Sequence, residues 1–179
     1  MTLRITLVSQ EKEDFIVELK IDADSTFADL HRLILRHCGY DEMHGQRFFI
    51  CDENWKPTQR ILLGDEENVN IDEDVYLMSD SNLGDFLEDE GQRLTYRFDP
   101  EDRRMFLMEV TETTFGDRVP DGGIVTRSKG KAPAQILVDE ETISQTASQI
   151  ESEELEEEFY GEDGFEEEDL DMEGFDILE

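Results

Sequence analysis

The sequence has few cysteines and no long apolar run. A disulfide between its two cysteines, Cys38 and Cys51, is one alternative, but no apolar signal-peptide core precedes them, so both are predicted to be reduced thiols. No stretch approaches the roughly 18 apolar residues that a membrane-spanning helix needs. These features predict a soluble, cytoplasmic protein without a membrane span.

Basic residues are also scarce and unevenly placed. The 179 residues include 48 acids and 16 bases, which gives a formal net charge of −32. Residues 139–179 hold 19 of the acids and no lysine or arginine, whereas residues 1–138 hold 29 acids and all 16 bases. Because nucleic-acid backbones are bound by clustered bases, this charge argues against direct nucleic-acid binding by the full chain and favours a basic or hydrophobic protein partner.

Alternating apolar residues predict a hairpin at the start of the chain. Leu3, Ile5 and Leu7 alternate with polar residues, and a period of two returns between Phe15 and Ile21 after a polar turn. Such a pattern is typical of strands with one face in a core.

A helix is predicted over residues 26–38. Apolar residues recur at helical spacing, at Phe27, Leu30, Ile34 and Cys38. Thr26 and Asp29 fit a capping box, and Gly39 stands where a helix commonly ends.

The rest of the first part alternates between strand and turn signals. Strands are predicted at residues 47–51, 59–63, 75–78, 94–98 and 105–110. A short helix is predicted near residues 83–87, and residues 117–133 are predicted to be a basic surface loop containing glycine and proline. The order strand–strand–helix–strand predicts an α+β domain over residues 1–138, with a β-grasp-like mixed sheet and one main packed helix.

Residues 139–179 are predicted to be an acidic, largely disordered tail. Carboxylates repel one another there, and the segment has no cation to neutralise them. Apolar side chains are nevertheless scattered among the acids, and four aromatic residues are the candidate partner contacts: Phe159, Tyr160, Phe165 and Phe175. The segment is either an interaction element that orders on a partner or a solubilising tail.

Residues 30–40 (LHRLILRHCGY), followed by His44 and Phe48, resemble the helix and following strand of the plasmid pRiA4b ORF-3-like family. The similarity continues through residues 83–98 and to Pro120, Gly122, Gly123 and Pro133, so it covers roughly residues 1–135. The family's activity is unassigned, and the resemblance therefore implies a fold rather than a function. It places a site, if the domain binds a ligand or is an enzyme, between helix 26–38 and the strands near Tyr96.

The chain departs from the family's signature, a Tyr-Asp-Phe-Gly-Asp-Asp-Trp-x-His run. The corresponding residues 96–104 read YRFDPEDRR, without the glycine, tryptophan or histidine. Near the domain end, the family's double proline and acid pair is reduced to APAQ at residues 132–135. Any site that the family builds from these residues is expected to be lost or changed here.

Histidines and cysteines between residues 31 and 51 are candidates for a metal site or a cysteine nucleophile. Their spacing argues against the metal site, and the predicted burial of Cys38 and Cys51 argues against a nucleophile. His31 and His37 are six residues apart on a helix and face different ways. The structural alternative has His31 and Cys38 packing at the helix margin and His44 capping a loop. We therefore predict no metal, no cofactor and no catalytic residue.

The sequence favours a non-enzymatic interaction module whose acidic tail meets a basic or hydrophobic protein. The alternatives are a ligand-binding domain or enzyme, and an acidic mimic of nucleic acid that competes for basic surfaces. The candidate ligand or partner surface of the domain is His31, His44, Tyr96, Arg97, Arg103 and Arg104. Oligomeric state has no signature in the sequence.

Overall fold

The computed structural model describes residues 1–64, 74–101 and 103–137. The chain divides into two units, Met1–Gln135 and Ile136–Glu179. Only Ile136 and Leu137 of the second unit are among the described residues, so the predicted disordered tail lies outside them. The architecture below is that of the first unit.

The described residues of this unit form eight strands and one α-helix. The strands are β1 Thr2–Ser9, β2 Ile16–Asp22, β3 Arg47–Cys51, β4 Pro57–Leu62, β5 Val75–Leu77, β6 Arg93–Asp99, β7 Arg104–Thr114 and β8 Ile124–Lys129. The helix α1 is Phe27–Cys38, and a 3₁₀ turn spans Leu83–Asp85.

The strands form one mixed sheet in the order β5-β4-β3-β6-β7-β1-β2-β8. Neighbouring strands are antiparallel, apart from the parallel pair β4 and β5. The predicted hairpin pairs Leu3 with Ile21 and Leu7 with Val17. The predicted α+β class, with a mixed sheet and one packed helix, is confirmed.

Helix α1 has both predicted caps. The Thr26 hydroxyl accepts from the Asp29 amide at 3.2 Å, and the Asp29 carboxylate accepts from the Thr26 amide at 3.0 Å. At the other end Gly39 is left-handed with φ 69°, and its amide donates to Leu35. These bonds satisfy backbone groups that a helix end leaves without a partner inside the helix.

The hydrophobic core lies between α1 and one face of the sheet. It is rich in aromatic rings, including a Phe98–Phe106 pair at 4.5 Å and a Phe27–Phe48 pair at 5.4 Å between ring centroids. Because side chains alternate across a strand, the inward residues of β1, β2, β3, β6 and β7 are apolar and almost fully buried. The intervening residues form the opposite face.

Two sequence predictions need correction. Residues 117–133 are not a continuous loop, because Ile124–Lys129 forms β8 and pairs with β2. Five of the six β8 residues are exposed, so the strand lacks the apolar alternation that marks the others. The short helix predicted near residues 83–87 is reduced to the 3₁₀ turn Leu83–Asp85.

Candidate functional site

His31 and Tyr96 form a buried polar pair between α1 and the sheet. The two residues are 1% and 0% exposed, and Tyr96 Oη lies 2.8 Å from His31 Nδ1. On its other side, His31 Nε2 lies 3.3 Å from a carboxylate oxygen of Glu42. A tyrosine that donates to Nδ1 leaves the Nε2 proton directed at Glu42, which corresponds to a neutral imidazole.

The electrostatics of this pair favour its uncharged form. Burial lowers the pKa of His31, and Glu42 opposes this shift by hydrogen bonding and attraction. Burial also raises the pKa of the Tyr96 hydroxyl well above its usual value. At neutral pH the pair is therefore a hydrogen-bonded core element in which neither group carries charge.

Arg104 is a second polar centre, at the start of β7. Its guanidinium forms a bidentate ion pair with Glu11, in which Nε and Nη2 each lie 2.7 Å from a carboxylate oxygen. It also lies 3.4 Å from a carboxylate oxygen of Asp99, with its carbon 5.0 Å above the Phe98 ring. The hydrogen bonds that Arg104 donates to Glu11 are the main reason that the pKa of Arg104 is raised.

Arg104 and Tyr40 form hydrogen bonds to the backbone of residues 133–135, the last three residues of the compact unit. Arg104 donates to the carbonyl oxygens of Ala134 and Gln135 at 2.7 and 2.9 Å. The Tyr40 hydroxyl donates to the Pro133 carbonyl at 2.5 Å. Two further bonds, of 2.9 and 2.7 Å, join the Gln135 side chain to the backbone of Asp41. We call residues 133–135 the anchored segment.

A cleft of about 490 Å³ lies beside the anchored segment, at the carboxyl end of α1. It is lined by Lys12, Asp14, Cys38, Gly39, Tyr40 and residues 131–135. Burial raises the pKa of Cys38 to about 12. Burial also raises the pKa of Tyr40 above its usual value. Since a thiolate is the nucleophilic form of cysteine, Cys38 is not activated for covalent chemistry.

The structure brings together two of the six residues predicted to form a ligand surface. His31 and Tyr96 are in contact but buried, so His31 does not lie at the helix margin as predicted. Arg97 points to the opposite face of the sheet, 5.1 Å above the Phe49 ring. Arg104 contacts the anchored segment, and His44 and Arg103 are exposed in separate turns. The candidate tail contacts Phe159, Tyr160, Phe165 and Phe175 lie outside the described residues.

The burial of His31 and the roles of Glu42 and Glu11 were not predicted from the sequence. His31 lies four residues after Phe27 and three before Ile34, so helical spacing could have placed it on the buried face. No comparable signal marks Glu42 or Glu11, whose partners are distant in sequence.

The described part of the chain holds neither a cluster of metal ligands nor a membrane-spanning helix. Within residues 1–64, 74–101 and 103–137, no three histidine, cysteine or acidic side chains are grouped to hold a metal ion. Cys38 and Cys51 are both free thiols, as predicted. The same ranges contain no helix of the length and apolarity needed to cross a membrane.

Comparison with known proteins identifies the family. No curated protein is similar enough in sequence to count as a relative. A crystal structure of a protein of unknown function from Methanosarcina mazei Go1 has a similar fold, with a TM-score of 0.51 and 16% sequence identity over 71% of this chain and 69% of that one. The sequence profile of the plasmid pRiA4b ORF-3-like proteins matches residues 1–176, past residue 135 where the predicted resemblance ended. The chain therefore belongs to the plasmid pRiA4b ORF-3-like family.

Proposed function

We propose that this protein is a non-enzymatic interaction module, in which the folded unit supports the acidic residues 139–179 and these capture a basic or hydrophobic protein partner in the cytoplasm. The anchored segment carries this proposal. Two side chains of the folded unit, Tyr40 and Arg104, bind the carbonyl oxygens of residues 133–135, and the acidic run begins four residues later at Asp139. The acidic residues consequently follow a fixed attachment point.

Charge and composition support the same role. Residues 139–179 carry 19 carboxylates without a lysine or arginine, and their aromatic residues are spaced through the acids. Acids attract a basic surface over roughly a Debye length, about 8 Å at physiological salt, and aromatic side chains add apolar contact area once a partner is bound. This combination is typical of segments that recognise a partner rather than of catalytic loops.

The reactive side chains of the folded unit are used for packing. His31 and Tyr96 satisfy each other in the core, and Arg104 is paired with Glu11 and Asp99. Cys38 has a raised pKa. An active site needs groups whose pKa values are tuned toward the working pH and which reach a substrate. The first three groups are taken up by packing and pairing, and Cys38, although it lines the cleft, has a pKa far from the working pH. This favours an interaction role over an enzymatic one.

The test is affinity capture from the native host, with bound proteins quantified by mass spectrometry. The full chain is compared with a variant in which Phe159, Tyr160, Phe165 and Phe175 are replaced by serine, so that charge is unchanged. Phe115→Ser is the matched control, because Phe115 is 81% exposed on the folded unit. We expect a partner retained by the parent and the control and lost by the four-site variant. A retained set that is identical for all three proteins contradicts the proposal.

Ligand binding in the cleft is a second candidate function, favoured by the 490 Å³ space beside Tyr40. Tyr96 itself is fully buried, so a ligand meets Cys38 and Tyr40 rather than the predicted Tyr96 surface. Ala134 lines the cleft and is exposed, which makes Ala134→Trp a way to fill it. A small molecule that raises the Tm of the parent but not of this variant identifies the cleft as its site.

The nucleic-acid mimic is distinguished by salt dependence. A mimic binds DNA-binding proteins through charge alone, so its affinity falls steeply with salt and does not depend on aromatic residues. Capture that survives the four-site serine variant and disappears at high salt assigns this third role.

A further inference from the structure

Strand β8 ends the described sheet on one side. It pairs with β2, for example Ile16 with Lys129 and Glu18 with Arg127. In an antiparallel pair alternate residues direct their backbone amide and carbonyl groups away from the partner strand. Five of the six residues of β8 are exposed, including Ile124 at 45%. The strand therefore offers exposed hydrogen-bonding groups at an accessible sheet edge.

A groove of about 580 Å³ runs beside the first residues of β8. It lies between the strand and helix α1, and it is lined by Leu33, Arg36, His37, Pro120, Asp121, Gly123, Ile124 and Val125. Leu33 and Val125 supply apolar surface, and Arg36 and His37 are exposed. The groove is limited on one side by a 3.0 Å hydrogen bond between His37 and Ser128.

The start of β8 is held at a definite position by Gly123. This glycine has a positive φ of 79°, and a Cβ there would lie 2.9 Å from the Lys20 carbonyl oxygen and 3.0 Å from a methyl group of Leu33. A larger residue therefore cannot make the same close approach to β2 and α1. The close approach at Gly123 therefore sets the spacing of β8, β2 and α1 at this end of the groove.

The edge is basic in a protein that is otherwise strongly acidic. Arg127 and Lys129 are exposed on β8, Lys131 follows it, and residues 124–131 contain no acid. Arg127 forms a 3.6 Å ion pair with Glu18, and the arginine side chain is 71% exposed. Such a surface pair contributes little and leaves the positive field of the edge largely in place.

We propose that β8 and its groove bind an extended acidic peptide of another protein by adding it to the sheet as a ninth strand. The peptide backbone pairs with the outer edge of β8, and alternate side chains enter the groove and contact Leu33 and Val125, which lie on the core side of the strand. The intervening acidic side chains face Arg127 and Lys129. Pairing of β8 with β8 of a second copy is disfavoured, since it brings these bases together.

This site concerns the folded unit and is independent of the role proposed for residues 139–179. Its partner is acidic, whereas the partner proposed for residues 139–179 is basic or hydrophobic. Peptide binding therefore tests the site on β8, and affinity capture tests the role of residues 139–179.

Binding of a short synthetic peptide that alternates Asp or Glu with Ile or Val tests the proposal, using the full chain and fluorescence anisotropy. Arg127→Glu with Lys129→Glu is expected to weaken binding by at least about tenfold, because both bases then repel the peptide. Arg103→Glu is the matched control: it reverses an exposed base in the β6–β7 turn, away from β8. Absent binding, or equal losses in both variants, overturns the site.

Strand addition is tested separately with the same peptide N-methylated at alternate residues. Methylation removes the donors that pair with β8 but keeps every side chain and charge. We expect the methylated peptide in one of the two registers to lose binding, and amide exchange of β8 to slow when the parent peptide binds. Equal affinity of both methylated peptides and the parent shows that strand pairing is absent.

Discussion

The His31–Tyr96 pair and the Arg104 centre both place polar groups out of water, but the first is neutral and the second is charged. His31 and Tyr96 are neutral, lie in the middle of the core, and satisfy each other across 2.8 Å. Arg104 stays charged with a side chain that is 9% exposed, and it is matched by Glu11, by Asp99 and by two carbonyl oxygens.

The difference follows from the cost of moving charge out of water. A lone charge in the core is too costly, so burial lowers the pKa of His31 and keeps its imidazole neutral. Arginine cannot lose its proton at any ordinary pH, and it therefore needs carboxylates and carbonyl oxygens around it. The neutral pair joins the helix to the sheet, whereas the charged centre fixes the anchored segment.

Removing the charged centre is expected to have the largest effect. Arg104→Met removes a cation that pairs with Glu11 and that lies 3.4 Å from the carboxylate of Asp99, a residue that is 3% exposed. Loss of one member of a buried ion pair costs about 3–5 kcal/mol of unfolding free energy. Denaturant unfolding measures this loss, and limited proteolysis should show faster cleavage near residues 132–137.

Arg103→Met is the matched control for that experiment. Arg103 is adjacent in sequence but exposed, so its replacement should change the unfolding free energy by no more than about 0.5 kcal/mol. Similar losses in the two variants contradict the role given to Arg104.

Breaking the neutral pair is expected to cost less. Tyr96→Phe keeps the ring but leaves His31 Nδ1 buried without its donor, a change worth about 1–3 kcal/mol. Tyr76→Phe removes a hydroxyl from a residue that is 37% exposed and should be nearly neutral. Thermal and denaturant unfolding of the two variants make the comparison. A Tyr96→Phe protein as stable as the parent shows that the bond contributes nothing.

A pH titration of stability distinguishes the two centres, because a histidine changes charge near neutral pH and an arginine does not. The pKa of His31 is lower in the folded protein than its usual value of 6.5. The unfolded chain therefore takes up a proton first, and stability falls as pH drops below about 6.5, by at most about 1.4 kcal/mol per pH unit. The charged groups bearing on His31 are Glu42 and Arg32.

The slope is obtained from unfolding free energies between pH 7.5 and the acid side, compared with His31→Gln. That variant keeps a polar side chain but cannot titrate, so the difference between the two curves isolates His31 from the many carboxylates. Parallel curves for the parent and His31→Gln contradict a lowered pKa.

The smallest effect is expected at the exposed end of the neutral pair. Glu42 has a side chain that is 61% exposed, so Glu42→Gln should change the unfolding free energy by less than about 1 kcal/mol. The carboxylate raises the pKa of His31 in the folded protein, so its removal should leave the onset of the acid loss near pH 6.5 and extend that loss to lower pH. An NMR titration of the His31 ring measures the direction, and a shift to higher pH is the contrary result.

The elements that sequence predicted well are those with a strong local pattern. Helix α1 ends within one residue of its prediction, because the capping box and Gly39 are local signals. The edge strand β8 was missed, because five of its six residues are exposed and it pairs with β2, more than one hundred residues earlier.

The polar centres show the same limit. Tyr96 and His31 were both singled out from the sequence, but as parts of a surface, and their burial depends on how α1 packs on the sheet. Arg104 was predicted to face a ligand, yet its partners Glu11 and Gln135 lie 93 and 31 residues away. Spacing along a chain carries no information about partners at such separations.

The sequence by itself determined the charge division between residues 1–138 and 139–179, the capped helix and the apolar alternation of the central strands. Each of these depends on neighbouring residues or on composition. Only the tertiary structure decided that His31 and Tyr96 are a neutral pair, that Arg104 binds the anchored segment and that β8 closes one edge of the sheet. These features depend on burial and on contacts between distant residues, and both exist only once the chain has folded.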